Sequence, residues 1–147
     1  MYKHILIPID GSETAAKALV AGIEFAREAK AKVTLFTALP EYQVPSESDV
    51  IRRTVVSLWD HERVSRDKAQ AILQPAADQV RAAGVECDTA YGESDHPYQA
   101  IVEAAQSHGC DVIFMSSHGR SGLAALWHGS ETHEVLTHSS IPTLVYR

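Results

Sequence analysis

The sequence predicts an α/β fold: one open, five-stranded parallel sheet with helices on both faces. Three observations carry that expectation. Short apolar runs alternate along the chain with longer segments of helical periodicity, the pattern of strands joined by right-handed crossovers. The strand segments lack polar–apolar alternation, as strands covered on both faces do. The 147 residues suit one domain spanning 1–147, with no internal repeat and no break in composition to mark a second.

Each element follows from its own residues. His4–Ile9 is apolar, rich in isoleucine, and too short for a helix, so it reads as a buried strand. Asp10-Gly11-Ser12 is turn chemistry, with Ser12 placed to cap a helix and Glu13 in its first turn. From Glu13 to about Ala29, the residues Ala16, Leu19, Val20, Ile23 and Ala26 repeat at helical spacing and are expected to face inward. Lys32–Ala38 is β-branched and aromatic, the second strand. Leu39 to about Leu58 carries prolines, serines and acids without periodicity, and reads as a long mobile connection with room for one helical turn.

A helix is expected from about Leu58 to Ala83, with Val64, Ala71, Ile72, Ala76 and Val80 inward. Pro75 should kink or split it, and Gly84 suits the left-handed position after its end. Val85–Tyr91 is the third strand, closed by Gly92. Pro97–His108 is a helix whose core stripe is Ile101, Val102 and Ala105, capped by Gly109. Asp111–Ser116 is the fourth strand, Ser117–His128 a loop, Ser130–His138 a helix and Pro142–Tyr146 the last strand.

Composition excludes several function classes. With 13 basic against 19 acidic residues the formal charge is −6, which argues against a nucleic-acid surface. No stretch approaches the roughly 20 apolar residues of a membrane span, and Met1–Asp10 reaches an acid too soon for a signal peptide. Cys87 and Cys110 lack CxxC or zinc-ligand spacing and read as small core residues of a reduced, cytoplasmic protein. His128, His133 and His138 recur every five residues, about 140° apart on a helix, so they do not share a metal-binding face. Ser117, His118 and Asp10 suggest a hydrolytic triad only weakly, because no G-x-S-x-G elbow is present. Trp59 and Trp127 are expected to be buried, and Arg120 is a loop arginine next to Gly119.

In open α/β sheets the ligand lies outside the carboxyl ends of the strands, where strand order reverses. Two segments here leave carboxyl ends rich in turn residues: Pro8-Ile9-Asp10-Gly11-Ser12, and Met115-Ser116-Ser117-His118-Gly119 continuing to Gly129-Ser130. A helix starting at Ser130 offers the unpaired amides of Ser130, Glu131 and Thr132 to an anion, and the Ser130 and Thr132 hydroxyls add donors. An acidic protein thus has a route to an anion site that needs no lysine. Neither GxxxxGK[ST] nor GxGxxG occurs. Gly129-Ser130 as a plain helix cap, with Gly119 as a loop turn, accounts equally well for the spacing.

Three stretches together resemble a universal stress protein domain over essentially the whole chain. They are Ile5–Glu13, the run from Met115 to Ser130 with nine residues between Gly119 and Gly129, and Val135–Val145. The middle run is similar to that family's nucleotide motif, Gly-x2-Gly-x9-Gly-Ser/Thr. The resemblance implies strand order 3-2-1-4-5 and a pocket for ATP, with Mg²⁺, between the first and fourth strands. It places Asp10 at the ribose, with Pro8 and Ile9 beside it, and the backbone of Ala38 at adenine. Met115 and His118 would flank the nucleotide; Gly119, Gly129, Ser130, Glu131 and Thr132 would cradle phosphates. Ser116 stands where the motif has its first glycine, and its side chain either crowds the ligand or donates to it. The resemblance further implies a homodimer through the last strand, which as an exposed sheet edge invites pairing. The expected function is a nucleotide-responsive module of the stress response, with unknown protein partners, and not a dedicated catalyst. A nucleotide-independent scaffold and a small-molecule hydrolase are the alternatives.

Overall fold

The computed structural model describes residues 1–53, 55–117 and 129–147, with the backbone alone at 129 and 130. Its elements run β1 (His4–Pro8), α1 (Glu13–Ala29), β2 (Lys32–Leu39), α2 (Glu47–Arg52), α3 (Leu58–Ala82), β3 (Cys87–Glu93), α4 (Pro97–Ser107), β4 (Val112–Ser116), α5 (Gly129–His138) and β5 (Thr143–Tyr146). The sheet has the order β3-β2-β1-β4-β5 with every pair parallel, as the sequence and its resemblance predict.

Strand residues alternate between two apolar layers. Ile5, Ile7, Val33, Leu35 and Phe114 pack with α1 and α3, while Leu6, Phe36, Ile113 and Met115 pack with α4 and Val135 of α5. All five residues of β1 are buried, since it is the central strand and is covered from both sides. Helix α1 comes close to the sheet at Gly22, where a Cβ would lie 2.8 Å from Ile7 Cδ1 and 3.3 Å from Phe114 Cδ1. Gly84 and Gly109 take φ of +80° and +67° just past α3 and α4, the left-handed geometry expected of them.

The structure revises the predicted stripes. In α1 the buried residues are Ala15, Ala18, Leu19, Gly22, Ile23 and Ala26, whereas Ala16 and Val20 are exposed. In α3 they are Ser65, Ala69, Leu73, Ala76, Ala77 and Val80; Val64 and Ala71 are exposed and Ile72 is half-buried. Both helices carry two adjacent apolar stripes one residue apart, about 100°. Close packing on the sheet takes the one with the smaller residues.

Pro75 neither splits α3 nor ends it. It sits on the exposed side, as does Ala71, so the carbonyl that loses its helical donor is next to water. Strand β3 begins at Cys87 instead of Val85 and runs through Gly92, because its register with β2 extends from Val33↔Cys87 to Leu39↔Glu93. Gly92 fits beneath the Phe36 ring, where a Cβ would be 3.3 Å from Cζ. The long connection contains α2, opened by a Ser46–Asp49 capping box.

Trp59, expected in the core, is 69% exposed, with the Arg63 guanidinium 5.6 Å from its ring centroid. It lies off the stripe that α3 turns to the sheet. Trp127 falls outside the described residues. Cys87 and Cys110 are buried and unbridged. Burial pushes both thiols up to about 11, so they stay protonated and behave as small apolar groups. Among the described residues no helix is long and apolar enough to cross a membrane.

Candidate functional site at the carboxyl ends of β1 and β4

The neighbours of β1 are β2 on one side and β4 on the other, so the chain leaves β1 where strand order reverses. The last bond of the β1–β2 ladder is Ile9 N–H to the Phe36 carbonyl, 2.8 Å. In a parallel ladder alternate residues turn their peptide groups to the same side. Ala38, two residues beyond Phe36, therefore faces the β1 side just past the end of that strand. Its side chain is buried, leaving the backbone as the part it presents there.

Beyond Ile9 the turn is built by local polar groups. The Asp10 Oδ1 accepts the Ser12 N–H at 2.9 Å, and the Ser12 Oγ accepts the Ala15 N–H at 3.1 Å. The first bond closes an Asx-type turn and the second caps α1. Asp10 is thereby held, half-buried, at the mouth of the crevice.

Across the crevice β4 ends at Met115, which is buried, and Ser116, which is half-buried. The Ser117 N–H donates to the Tyr146 carbonyl at 2.8 Å and prolongs the β4–β5 ladder. The buried Thr132 hydroxyl donates to the Ser116 carbonyl at 3.0 Å, tying the first turn of α5 to the end of β4. Glu131 Oε2 accepts the Tyr98 N–H at 3.0 Å. That amide opens α4, whose N-cap residue His96 supplies no side-chain bond of its own.

The start of α5 is thus fastened to β4 by Thr132 and to α4 by Glu131. Of the sequence-predicted site residues, Pro8, Ile9, Asp10, Ala38, Met115, Ser116 and the α5 residues Gly129, Glu131 and Thr132 are brought to this end of the sheet. His118 and Gly119 lie outside the described residues, as does the side chain of Ser130. The helix start and the family resemblance lead to the expectation that Glu131 and Thr132 cradle phosphate, the Thr132 hydroxyl included. In the structure the Thr132 hydroxyl is instead engaged by the Ser116 carbonyl and the Glu131 carboxylate by the Tyr98 amide. A sequence signal existed for Glu131: the sequence His96-Pro97 opens α4 without a Ser, Thr, Asp or Asn cap, so the acceptor had to come from elsewhere.

A second hollow escaped the sequence reading. A cavity of about 400 Å³ begins at Leu39, next to Ala38, and is lined by Pro40, Tyr42, His61, Ser65 and Lys68 among others. His61 Nε2 lies 3.1 Å from Glu93 Oε2 and 3.4 Å from the Ser65 Oγ. The Tyr42 ring meets the His61 ring edge-on at 5.3 Å, and its hydroxyl donates to the Val56 carbonyl at 2.9 Å. The segment after β2 is therefore folded back over α3. Ser65 and Glu93 both meet the His61 ring at Nε2, so the three do not form a nucleophile–base–acid relay, which uses both ring nitrogens.

Comparison with known proteins decides the family. The sequence model of the Universal stress protein family matches residues 1–147. The chain belongs to the universal stress protein family. Universal stress protein YxiE of Bacillus subtilis is 29% identical, with all of both chains covered. Universal stress protein MJ0577 of Methanocaldococcus jannaschii has a solved structure that superposes with a TM-score of 0.75 at 26% identity, covering 99% of this chain and 95% of that one. The universal stress protein of Archaeoglobus fulgidus solved in complex with dAMP shares the fold at a TM-score of 0.68 and 20% identity, covering 99% of this chain and 98% of its own.

Proposed function

We propose that this universal stress protein, acting as one domain, binds an adenine nucleotide, ATP with its Mg²⁺, across the β1–β4 crevice. It serves as a nucleotide-responsive homodimer in the cytoplasmic stress response. The observation that carries this reading is the convergence on one crevice of the Ala38 backbone, the Asp10 carboxylate and the fastened first turn of α5. Ala38 presents one peptide donor and one acceptor, the pair that an adenine edge complements. Asp10 is an acceptor for ribose hydroxyls, with Pro8 and Ile9 beside it. The amides of Ser130, Glu131 and Thr132, at the positive end of α5, suit phosphate oxygens, together with Gly119, Gly129 and the Ser130 hydroxyl from the motif, while His118 flanks the nucleotide.

The charges fit such a ligand. Glu131 would repel phosphate if its carboxylate faced the crevice, but that carboxylate is directed to the Tyr98 amide. Met115 supplies an apolar wall, and Ser116, in place of the motif glycine, adds a hydroxyl at the edge. Without a P-loop lysine, turnover of ATP is expected to be slow. The relative solved with dAMP agrees with the ligand class, while this chain's own residues are the argument for ATP.

Calorimetric titration with ATP and Mg²⁺ tests the reading, and binding heat with a matching thermal shift is expected. Thr132→Val removes the tether of α5 and should weaken binding roughly tenfold, about 1.4 kcal/mol. Absence of both heat and shift at millimolar ligand overturns the reading. A nucleotide-independent scaffold is the second reading, in which the Ser116 side chain, standing where the motif has glycine, crowds out the ligand; it predicts partner binding unchanged by Gly129→Trp.

A further inference from the structure

We infer that the hollow between α3 and the segment 40–56 is a second ligand site, which takes a small zwitterion with an apolar body, in the simplest case an apolar α-amino acid. Its volume of about 400 Å³ is that of a small-molecule site. It adjoins the nucleotide crevice at Leu39 but is built from other side chains, so the inference does not rest on the nucleotide reading.

The floor of the hollow is one stripe of α3. His61, Ser65 and Lys68 stand at i, i+4 and i+7, and all three line it. The His61 ring is fixed by Glu93 Oε2, 3.1 Å from Nε2, and by the edge-on Tyr42 ring. A carboxylate accepts, so Nε2 carries a hydrogen directed to it. Ser65 is only 5% exposed, and the partner of its hydroxyl is that same nitrogen, at 3.4 Å. A ring nitrogen that carries a hydrogen cannot accept a second one. The Ser65 hydroxyl proton is therefore without an acceptor among the described residues, and a buried donor so placed is costly. It belongs to the wall of the hollow, where a ligand oxygen would accept it.

Charge selects the ligand. Besides His61 the charged side chains on the wall are Glu41, Asp49 and Lys68, and Asp49 is occupied by the Ser46 amide and hydroxyl. The Lys68 ammonium and the Glu41 carboxylate form no ion pair or hydrogen bond, with each other or with any described residue. Lys68 and the Ser65 hydroxyl, three positions apart on α3, suit the two oxygens of one carboxylate. Glu41, on the segment that closes the hollow, suits an ammonium. Pro40, Pro45, Val56 and Val64 make the rest of the wall apolar. A simple anion would meet Glu41 and a simple cation would meet Lys68, whereas one molecule with both charges satisfies both. The segment also has room for such a ligand to stabilise it: none of its described residues from 40 to 57 is buried.

The test is a nuclear magnetic resonance titration of the ¹⁵N-labelled full chain, without nucleotide, with L-leucine. Its two truncated forms are 4-methylpentanoate, which lacks the ammonium, and 3-methylbutylamine, which lacks the carboxylate. Leucine should shift the amides of 40–45 and 61–68 saturably, and each truncated form should bind at least roughly tenfold more weakly. Lys68→Met should weaken leucine roughly tenfold and remove its advantage over the amine. Glu41→Gln should remove its advantage over the carboxylate. Both positions are exposed, and the amide spectrum reports the fold of each variant. No saturable shift at these amides overturns the proposal, as does a truncated form that binds as tightly as leucine. A leucine affinity that neither variant changes also overturns it.

Discussion

At the scale of single residues, buried polar groups in this protein decide both stability and shape. His4 is buried, with Nε2 2.7 Å from the Thr34 hydroxyl. Desolvation, helped by Lys32, holds its pKa below the ordinary 6.5. The neutral ring is therefore the form the fold accepts, while the unfolded chain takes up a proton near pH 6.5. Stability is then complete above that pH and lost progressively as pH falls below 6.5 toward the folded-state value. Urea unfolding followed from pH 8 to pH 5 should show this decline, and His4→Gln should flatten it; an unchanged slope in that variant would assign the decline to other groups. Thr132 and Glu131 act by the same principle. Thr132 donates to the carbonyl of a strand end and Glu131 accepts from the amide of a helix start, and a buried group deprived of its partner costs about 1–3 kcal/mol.

At the scale of elements, the helices are specified by their ends and placed by their packing. Ser12, Ser46 and Ser57 cap three helices through their own side chains, and α4 takes its cap from α5 through Glu131. Helix α3 shows packing overriding a local breaker, since Leu73, Ala76 and Ala77 are buried around Pro75 and hold the turn on the sheet. Pro75→Ala would restore the amide that donates to the Ala71 carbonyl. It should raise the stability by about 1–3 kcal/mol, less the entropy that proline removes from the unfolded chain. A higher urea midpoint at constant m-value is the expected measurement. An unchanged or lower midpoint would mean that the proline already satisfies that turn at no net cost.

At the scale of the whole molecule, a central buried β1 lies between two apolar layers, and the sheet ends in two unlike edges. Edge strand β5 alternates half-buried and exposed residues, with Leu144 and Tyr146 reaching solvent, and its outer backbone groups suit pairing with another copy. Leu144→Lys should convert the proposed dimer to monomer in native mass spectrometry while leaving the nucleotide titration intact; a persisting dimer would place the interface elsewhere. Much of this was legible beforehand. Asp10-Gly11-Ser12, the helix start at Gly129-Ser130, and the alternation of strands and helices depend on residues near one another in the chain. So do the glycines after α3 and α4, and these features appear as predicted. The partner of Glu131 is 33 positions away at Tyr98, and no local pattern encodes it. The same limit applies to the choice between two neighbouring stripes on α1 and α3, to the unbroken course of α3 through Pro75, and to the exposure of Trp59. By itself the sequence determined the order and kind of the elements, the Ser12 cap of α1, the glycines that end α3 and α4, and the two segments of the crevice, because those follow from contacts within a few residues. Only the tertiary structure decided which faces are buried, what Glu131 and Thr132 hold, and which apolar side chains remain in water. Those outcomes depend on close packing between segments distant along the chain.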